Sequence, residues 1–331
     1  MTGVQADTDD RFNFSVELGT RWESNINLGG DEVDPQFVGD EQLDDLTYQL
    51  AATVSYDLIK QPSREFSISL TGFYNGVDDF SDLTNKGVTL ALQYNGEFGP
   101  AFTAPWYSIN ISQTYADFDS RIRDGDWLEA ELQLGKRFTP KFGASFGVRY
   151  LDRNQDNSTR LCPERANVNC PGFWREDQVF DQERIGGFLH FDWFAADKTS
   201  LFFEYSYWEG DEDATVALRN VGATGRPGWL NIHDIFADDP AFGRYSINNN
   251  GNFVENGPLY IVWQVDVTQH VFELGIRQQL TDQMGLEFVV AHLLTSDVES
   301  PGRRDSALVM GDTELDDYDN TAVMLSFSFN F

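Results

Sequence analysis

The sequence predicts an all-β chain closed into one antiparallel transmembrane barrel of about twelve strands. Three observations predict it. Apolar and polar residues alternate with period two in twelve segments, so each strand has one apolar and one polar face. The links between segments alternate between short and long. The last segment runs to the end of the chain with Val323, Leu325, Phe327, Phe329 and Phe331 on one parity, and Met324, Ser326, Ser328 and Asn330 on the other. A barrel in lipid needs this pattern, apolar outside and polar within.

The segments follow in order. The first covers Phe12 to Leu28, with Phe12, Phe14, Val16, Leu18, Trp22, Ile26 and Leu28 on the apolar parity. The second, Leu46 to Leu58, turns Tyr48, Leu50, Ala52, Val54, Tyr56 and Leu58 outward. The third, Glu65 to Asn75, sets Phe66, Ile68 and Leu70 against Ser67, Ser69 and Thr71. The fourth carries Val88, Leu90, Leu92 and Tyr94, and the fifth Tyr107, Ile109 and Ile111. The sixth sets Leu128, Ala130, Leu132 and Leu134 against Glu129, Glu131, Gln133 and Gly135. The seventh sets Phe142, Ala144, Phe146, Val148 and Tyr150 against Gly143, Ser145, Gly147 and Arg149. In the eighth, Ile185, Leu189, Phe191 and Trp193 oppose Phe188, His190 and Asp192. In the ninth, Leu201, Phe203, Tyr205 and Tyr207 oppose Phe202, Glu204, Ser206 and Trp208. The tenth has Phe272, Leu274, Ile276 and Leu280 outward, and the eleventh Met284, Leu286, Phe288 and Val290.

Five links are short: Gln61 to Ser63, Gly99 to Pro105, Thr139-Pro140, Ala196 to Lys198 and Thr281 to Gln283. Between them lie long polar links, Gly29 to Asp45, Asp78 to Asn85, Asp117 to Asp126, Asp152 to Gln182, Glu209 to Gln264 and Ser296 to Asn320. Short periplasmic turns and long extracellular loops sort this way in outer-membrane barrels. A soluble sandwich has no reason to sort them. The reading is one domain over residues 1–331, with a flexible segment at 1–10.

The chain resembles the Gram-negative outer-membrane β-barrel superfamily over nearly its whole length, porin-like and twelve-stranded, with no subfamily identified. In that superfamily, aromatics at alternate positions before a terminal Phe are read by the barrel-assembly machinery. The resemblance assigns that signal to Phe327, Phe329 and Phe331. Arg21 to Leu28, which contains Ser24-Asn25-Ile26-Asn27, is similar to the first strand of barrels attached to helical-repeat export proteins; the helical repeats are absent.

Composition agrees. No apolar run approaches the ~18 residues of a membrane helix. Hydrophobic content is 41% and mean hydropathy −0.40, as expected when only every second residue meets lipid. The 27 Phe, 12 Tyr and 8 Trp suit two interfacial girdles. The net charge of −31 argues against nucleic acid as a partner. Outer-membrane lipids, lipopolysaccharide and small solutes remain. Cys162 and Cys170 lie in a polar stretch and read as a loop disulfide of an oxidising compartment. Met1 to Asp7 has no charged-then-apolar leader, so Met1 is read as replacing a removed export signal.

The inward parity gives the candidate lumen: Glu17, Glu23, Asp57, Glu129, Glu131, Asp192, Glu204, Glu273 and Glu287 against Arg21, Arg137, Arg149 and Arg277. Nine acids against four bases make an acidic lumen that favours cations if it holds water. A packed interior with each Arg clamped between carboxylates is the alternative, and twelve strands allow both. The link Glu209 to Gln264, with Arg219, Arg226, Trp229, Phe236, Phe242 and Tyr245, is a candidate constriction with a short helix over Gly228 to Phe242.

The acidic runs Gly30 to Asp34, Asp40-Glu41, Gly210 to Asp213 and Asp312 to Asp317 offer the oxygens Ca²⁺ takes, without the spacing of a Ca²⁺ loop. They read as a solvated face bridged to lipopolysaccharide by divalent ions. No other cofactor or resident metal is expected. A turn near Asp282 places His270 and His292 diagonally on neighbouring strands, both outward. The His-x-Ser pattern of outer-membrane phospholipase A is missing, since Val271-Phe272 and Leu293-Leu294 follow these histidines. His190 and Asp192 share the inward face and are a candidate acid/base pair or simple lumen lining. No phosphate loop, CxxC pair or nucleophile elbow occurs, so no enzyme is expected. The expected function is a porin-like passage for ions or small hydrophilic solutes with mild cation preference. A structural or export-associated barrel with periplasmic partners is the second reading, and a lipid hydrolase the third.

Overall fold

The computed structural model describes residues 11–25, 44–79, 83–119, 124–156, 181–218, 246–247, 253–254, 259–299 and 318–331. Its strands are β1 (Phe12–Glu23), β2 (Asp45–Gln61), β3 (Arg64–Val77), β4 (Asn85–Glu97), β5 (Trp106–Phe118), β6 (Gly125–Thr139) and β7 (Phe142–Gln155). They continue with β8 (Gln182–Ala196), β9 (Thr199–Leu218), β10 (Ser246–Ile247), β11 (Phe253–Val254), β12 (Leu259–Gln279), β13 (Met284–Glu299) and β14 (Asp319–Asn330). Strands β10 and β11 form a small separate hairpin; the other twelve close into one antiparallel barrel in chain order, with β14 paired to β1. No helix among the described residues is long and apolar enough to cross a membrane.

The sheet closes because its last strand can complete its first. Nine consecutive residues of β1, Ser15 to Glu23, pair with Asn330 back to Ala322. At the base of this seam the Phe331 N–H donates to the Phe14 carbonyl at 2.9 Å, and the two rings lie 5.5 Å apart. The terminal Phe is thus a structural latch between the chain's two ends.

The alternating pattern fixes which face meets lipid. Leu18, Leu50, Leu70, Leu90, Ile111, Leu132, Phe146, Leu189, Leu274 and Phe288 are exposed around the outer wall. In water such a surface would be a severe cost; in a bilayer it is the matched face. Aromatics gather at two levels. Near the short turns, Phe12 contacts Tyr56 at 4.8 Å, Tyr94 contacts Tyr107 at 5.8 Å, and Phe138 contacts Phe142 at 6.0 Å between ring centres. Near the long links stand Trp22, Tyr48, Tyr74, Tyr115 and Tyr207, also outward. An apolar band between two aromatic girdles places the protein in the bacterial outer membrane.

Several strand boundaries differ from the sequence reading. Strand β1 stops at Glu23 rather than Leu28, because side chains of β14 take over the ladder. The Asn25 N–H donates to Asn320 Oδ1 at 3.1 Å, and Asn25 Nδ2 donates to the Asp319 carbonyl at 2.8 Å. Residues Ile26 to Leu28 lie outside the described residues. The link expected over Glu209 to Gln264 is shorter, because β9 and β12 stay paired out to Leu218 and Leu259. Gly210, at φ 137°, sits where β9 leaves β8 and continues with β12 alone. A Cβ there would lie 2.1 Å from the Glu183 carbonyl oxygen. The proposed helix over Gly228 to Phe242, the segment 1–10, and the Cys162 and Cys170 pair all lie outside the described residues.

Placing a charge on the lipid face should be costly. Leu274→Arg is expected to lose about 2–4 kcal/mol of stability, the cost of Arg near the bilayer midplane. Denaturant unfolding in liposomes measures it. Ser69→Arg, on the lumen face, should leave the unfolding midpoint close to that of the parent.

Candidate solute pathway

The lumen has two unlike halves. Strands β2 to β5 line theirs with neutral hydroxyls and amides that bond to one another across the strands. Thr53 and Thr71 hydroxyls lie 2.8 Å apart, as do those of Thr89 and Thr114. Ser108 Oγ donates to Asn95 Oδ1 at 2.8 Å. Short side chains of this kind satisfy each other within the wall.

Strands β6 to β9, β12 and β13 carry a continuous chain of charge. Arg149 Nε donates to Glu131 at 2.7 Å, and its Nη1 donates to Glu204 at 2.6 Å. Glu204 also accepts from Ser206 Oγ at 3.1 Å, and its other oxygen lies 2.9 Å from His190 Nδ1. His190 Nε2 is 3.3 Å from Asp192. Both ring nitrogens thus face carboxylates, and only a doubly protonated ring can donate to both. Asp192 lies 4.0 Å from Arg277, and Arg277 Nε donates to Glu287 at 2.9 Å. Apart from His190–Asp192, two positions apart on β8, these ion pairs join neighbouring strands or strands one place further round, so the chain runs along the wall.

Inward aromatics seat the cations. Arg149 lies 3.9 Å from the centre of the Phe188 ring and Arg277 4.1 Å from that of Phe202. Both rings are buried. They lie flat because their register partners are glycines: Phe188 faces Gly147 and Phe202 faces Gly275. A Cβ on Gly147 would sit 2.4 Å from the Leu132 carbonyl oxygen and 2.5 Å from the Phe188 ring. The missing side chain is therefore the space in which Phe188 lies, and Phe188 is the floor under Arg149.

The expected lumen residues divide into groups. Glu131, Arg149, Asp192, Glu204, Arg277 and Glu287 meet in the chain, with His190 at its centre. Arg21 pairs separately with Glu23 at 3.0 Å. Asp57 is held by Lys60 at 3.1 Å beside a bulge near the short turns. Arg137 lies against Phe102 and Phe194, 5.2 and 4.9 Å from the ring centres, at the same end. Glu17 and Glu273 have no ion pair among the described residues, and Glu129 only accepts from Ser112 Oγ at 3.4 Å. Two inward cations were missed by the sequence reading. Arg153 lies over Phe118 and Trp127, and Arg184 over Trp208. Both fall on the inward parity just beyond the positions used to define strands seven and eight. Reading the alternation three residues further would have found them.

His270 and His292 face outward. His270 Nδ1 lies 2.9 Å from the Tyr205 hydroxyl, and His292 Nδ1 lies 2.9 Å from that of Thr321. Among the described residues no cluster of His, Cys, Asp or Glu could hold a metal ion.

No protein-family model matches the chain, and no curated protein matches it. Solved structures do. An outer membrane channel from Pseudomonas putida F1 superimposes with a TM-score of 0.53 at 8% identity, covering 96% of this chain and 95% of that one. The KdgM porin, solved in complex with disordered oligogalacturonate, gives a TM-score of 0.43 at 8% identity, covering 96% and 99%. An anion-selective porin from Comamonas acidovorans gives 0.39 at 8% identity, covering 97% and 98%. The first of these likenesses concerns the fold alone, and the two looser ones add nothing to it. The chain, a closed twelve-stranded antiparallel barrel, shares the fold of that first channel.

Filling the space under Phe188 should disturb the charge chain. Gly147→Ala is expected to cost about 1–3 kcal/mol, as overpacking does. Arg149→Ala should cost a comparable amount by stripping Glu131 and Glu204 of their donor. Chemical unfolding of both variants checks this, with Ser69→Ala as the neutral reference.

Proposed function

We propose that the protein is a passive outer-membrane channel for ions and small hydrophilic solutes, with a mild preference for cations. The observation that carries this reading is the direction of the lumen contacts. The one long file of paired charge runs along β6 to β9, β12 and β13, while β2 to β5 carry mainly short neutral groups bonded to one another, and Arg21–Glu23 and Asp57–Lys60 pair locally on β1 and β2. A plug would need side chains that meet across the axis.

The pairing also sets the size of the preference. The chain from Glu131 to Glu287 contains four carboxylates, two guanidinium groups and His190, so it nearly cancels itself. Cation preference then rests on the acids outside it, chiefly Glu17, Glu129 and Glu273. At ionic strength near 0.15 M the screening length is about 8 Å, so these charges act only on ions passing close by.

A second asymmetry runs along the axis. Asp44, Asp78, Asp117, Asp124, Asp152 and Asp181 stand at the long-link ends of the strands, whereas at the short turns Lys60, Arg64, Lys136, Arg137, Lys141 and Lys198 are interleaved with Asp57, Glu65, Glu97, Asp197 and Asp282. The acidic outer mouth gathers cations, and the inner mouth is close to balanced.

Planar-bilayer recordings of the refolded protein under a KCl gradient test the reading. Steady conductance with a reversal potential on the cation side is expected. Glu129→Gln with Glu273→Gln should move that potential toward zero. A folded barrel that conducts nothing overturns the proposal. With the protein inserted in one orientation, current should differ in size between the two polarities, and the difference should shrink as salt rises.

A further inference from the structure

Inside the long-link end of the lumen is a chamber of about 380 Å³, bounded by residues of nine strands. Five side-chain amides converge on it, Gln49 of β2, Asn75 of β3, Asn85 of β4, Gln269 of β12 and Asn320 of β14. We propose that this chamber is a binding site for a neutral polyhydroxylated solute of about one or two sugar rings. The inference rests on the channel reading, since the solute would reach the chamber through the mouth of the lumen.

The chemistry of the lining selects that class. A carboxamide carries both donors and an acceptor, which is what a hydroxyl needs from its partner. A carboxylate or ammonium ligand would instead call for a surplus of the opposite charge. Two of the three charged groups here offset one another, Arg21 and Glu23 at 3.0 Å, with Glu23 also accepting from Asn320 Nδ2 at 3.1 Å; the third, Arg184, gives its Nη1 to Gln269 Oε1 at 3.2 Å, so five amides stand against the one guanidinium that donates to an amide of the lining. Apolar surface is present as well, in Phe118 and Leu293, against which the C–H face of a sugar ring can lie. The volume falls at the small end of the roughly 300–1,000 Å³ range of small-molecule sites.

The amides are also held in place. Asn75 Nδ2 donates to Asn85 Oδ1 at 3.0 Å, and Asn85 Nδ2 donates to the Leu83 carbonyl at 2.8 Å. Each keeps part of its bonding capacity for a ligand while its orientation is fixed by a neighbour. A preformed site loses less on binding than one that must be ordered. Gln49 is the member with the most capacity left, its side chain making no hydrogen bond among the described residues.

Saturation-transfer NMR on the refolded full chain in detergent, with maltose as the probe, tests the site without requiring conduction. Saturable binding in the millimolar range is expected, at least tenfold weaker in Gln49→Leu and in Asn75→Leu. Both variants are first checked for folding by heat-dependent gel mobility. Ser69→Leu, a lumen substitution outside the chamber, should bind as the parent does. Absence of saturable binding by folded protein, or undiminished binding in both chamber variants, overturns the proposal. So does binding of gluconate without binding of sorbitol, which would assign the site to the guanidinium groups. Conductance without maltose binding sinks the chamber and leaves the channel standing. Binding without conductance leaves the chamber standing and sinks the channel.

Discussion

Everything in this molecule follows from one constraint, that a sheet crossing lipid cannot leave an edge. Each unpaired backbone group in hydrocarbon costs several kcal/mol, and water is not there to repair it. The first and last strands must therefore find each other, although 299 to 315 positions separate the partners that meet, from Glu23–Ala322 to Ser15–Asn330. The Phe331–Phe14 contact and its backbone bond sit at the lower end of that seam. Once the ring is closed, the parity of every strand is locked to every other. A one-residue slip would carry a strand's polar face into lipid, and in β1, β6, β9 or β12 a carboxylate with it.

Closure also creates the interior in which the side chains must settle. On the lipid face, large residues can stand away from the wall. On the lumen face they must compete for a limited cross-section. The barrel meets this by laying inward rings flat over glycines in the next strand. Phe188 over Gly147 and Phe202 over Gly275 are the pairs that matter for the site, because Arg149 and Arg277 rest on those rings. Fixed cations then draw Glu131, Glu204, Asp192 and Glu287 into one file. The charge pattern of the lumen is thus a consequence of where two glycines fall.

Much of this was legible in the sequence, because a period of two is local and the lipid enforces it without exception. The outward set, the sorting of links and the inward positions of Glu129, Arg149, Glu204 and Glu273 all follow from counting parity. The exceptions are instructive. Strand β1 ends early because Asn320, almost 300 residues away, supplies bonds to Ser24 and Asn25 that the ladder would otherwise make. Arg153 and Arg184 were passed over because polar ends of strands look like loop. Which acid meets which base could not be read at all. Arg149 and Glu204 are 55 positions apart, and their meeting depends on the register of three strands.

On the channel reading proposed above, the same pairing explains why a lumen with so many charges need not grip what passes through it. Conduction requires sites weak enough to leave as well as favourable enough to enter. A bare row of carboxylates in a narrow barrel would hold divalent cations and slow everything else. Here most lumen acids already have a guanidinium, imidazole or amide partner, so a passing ion meets dipoles more often than full charges. The chamber near the outer end obeys the same rule in neutral form. Four of its five amides have spent part of their bonding capacity on neighbouring groups, so a solute finds several partial partners instead of one complete set. Weak, oriented contacts of this kind raise the local concentration of a solute without trapping it. An outer-membrane pathway driven only by a concentration gradient needs that balance, since no energy source is at hand to eject a ligand held too tightly.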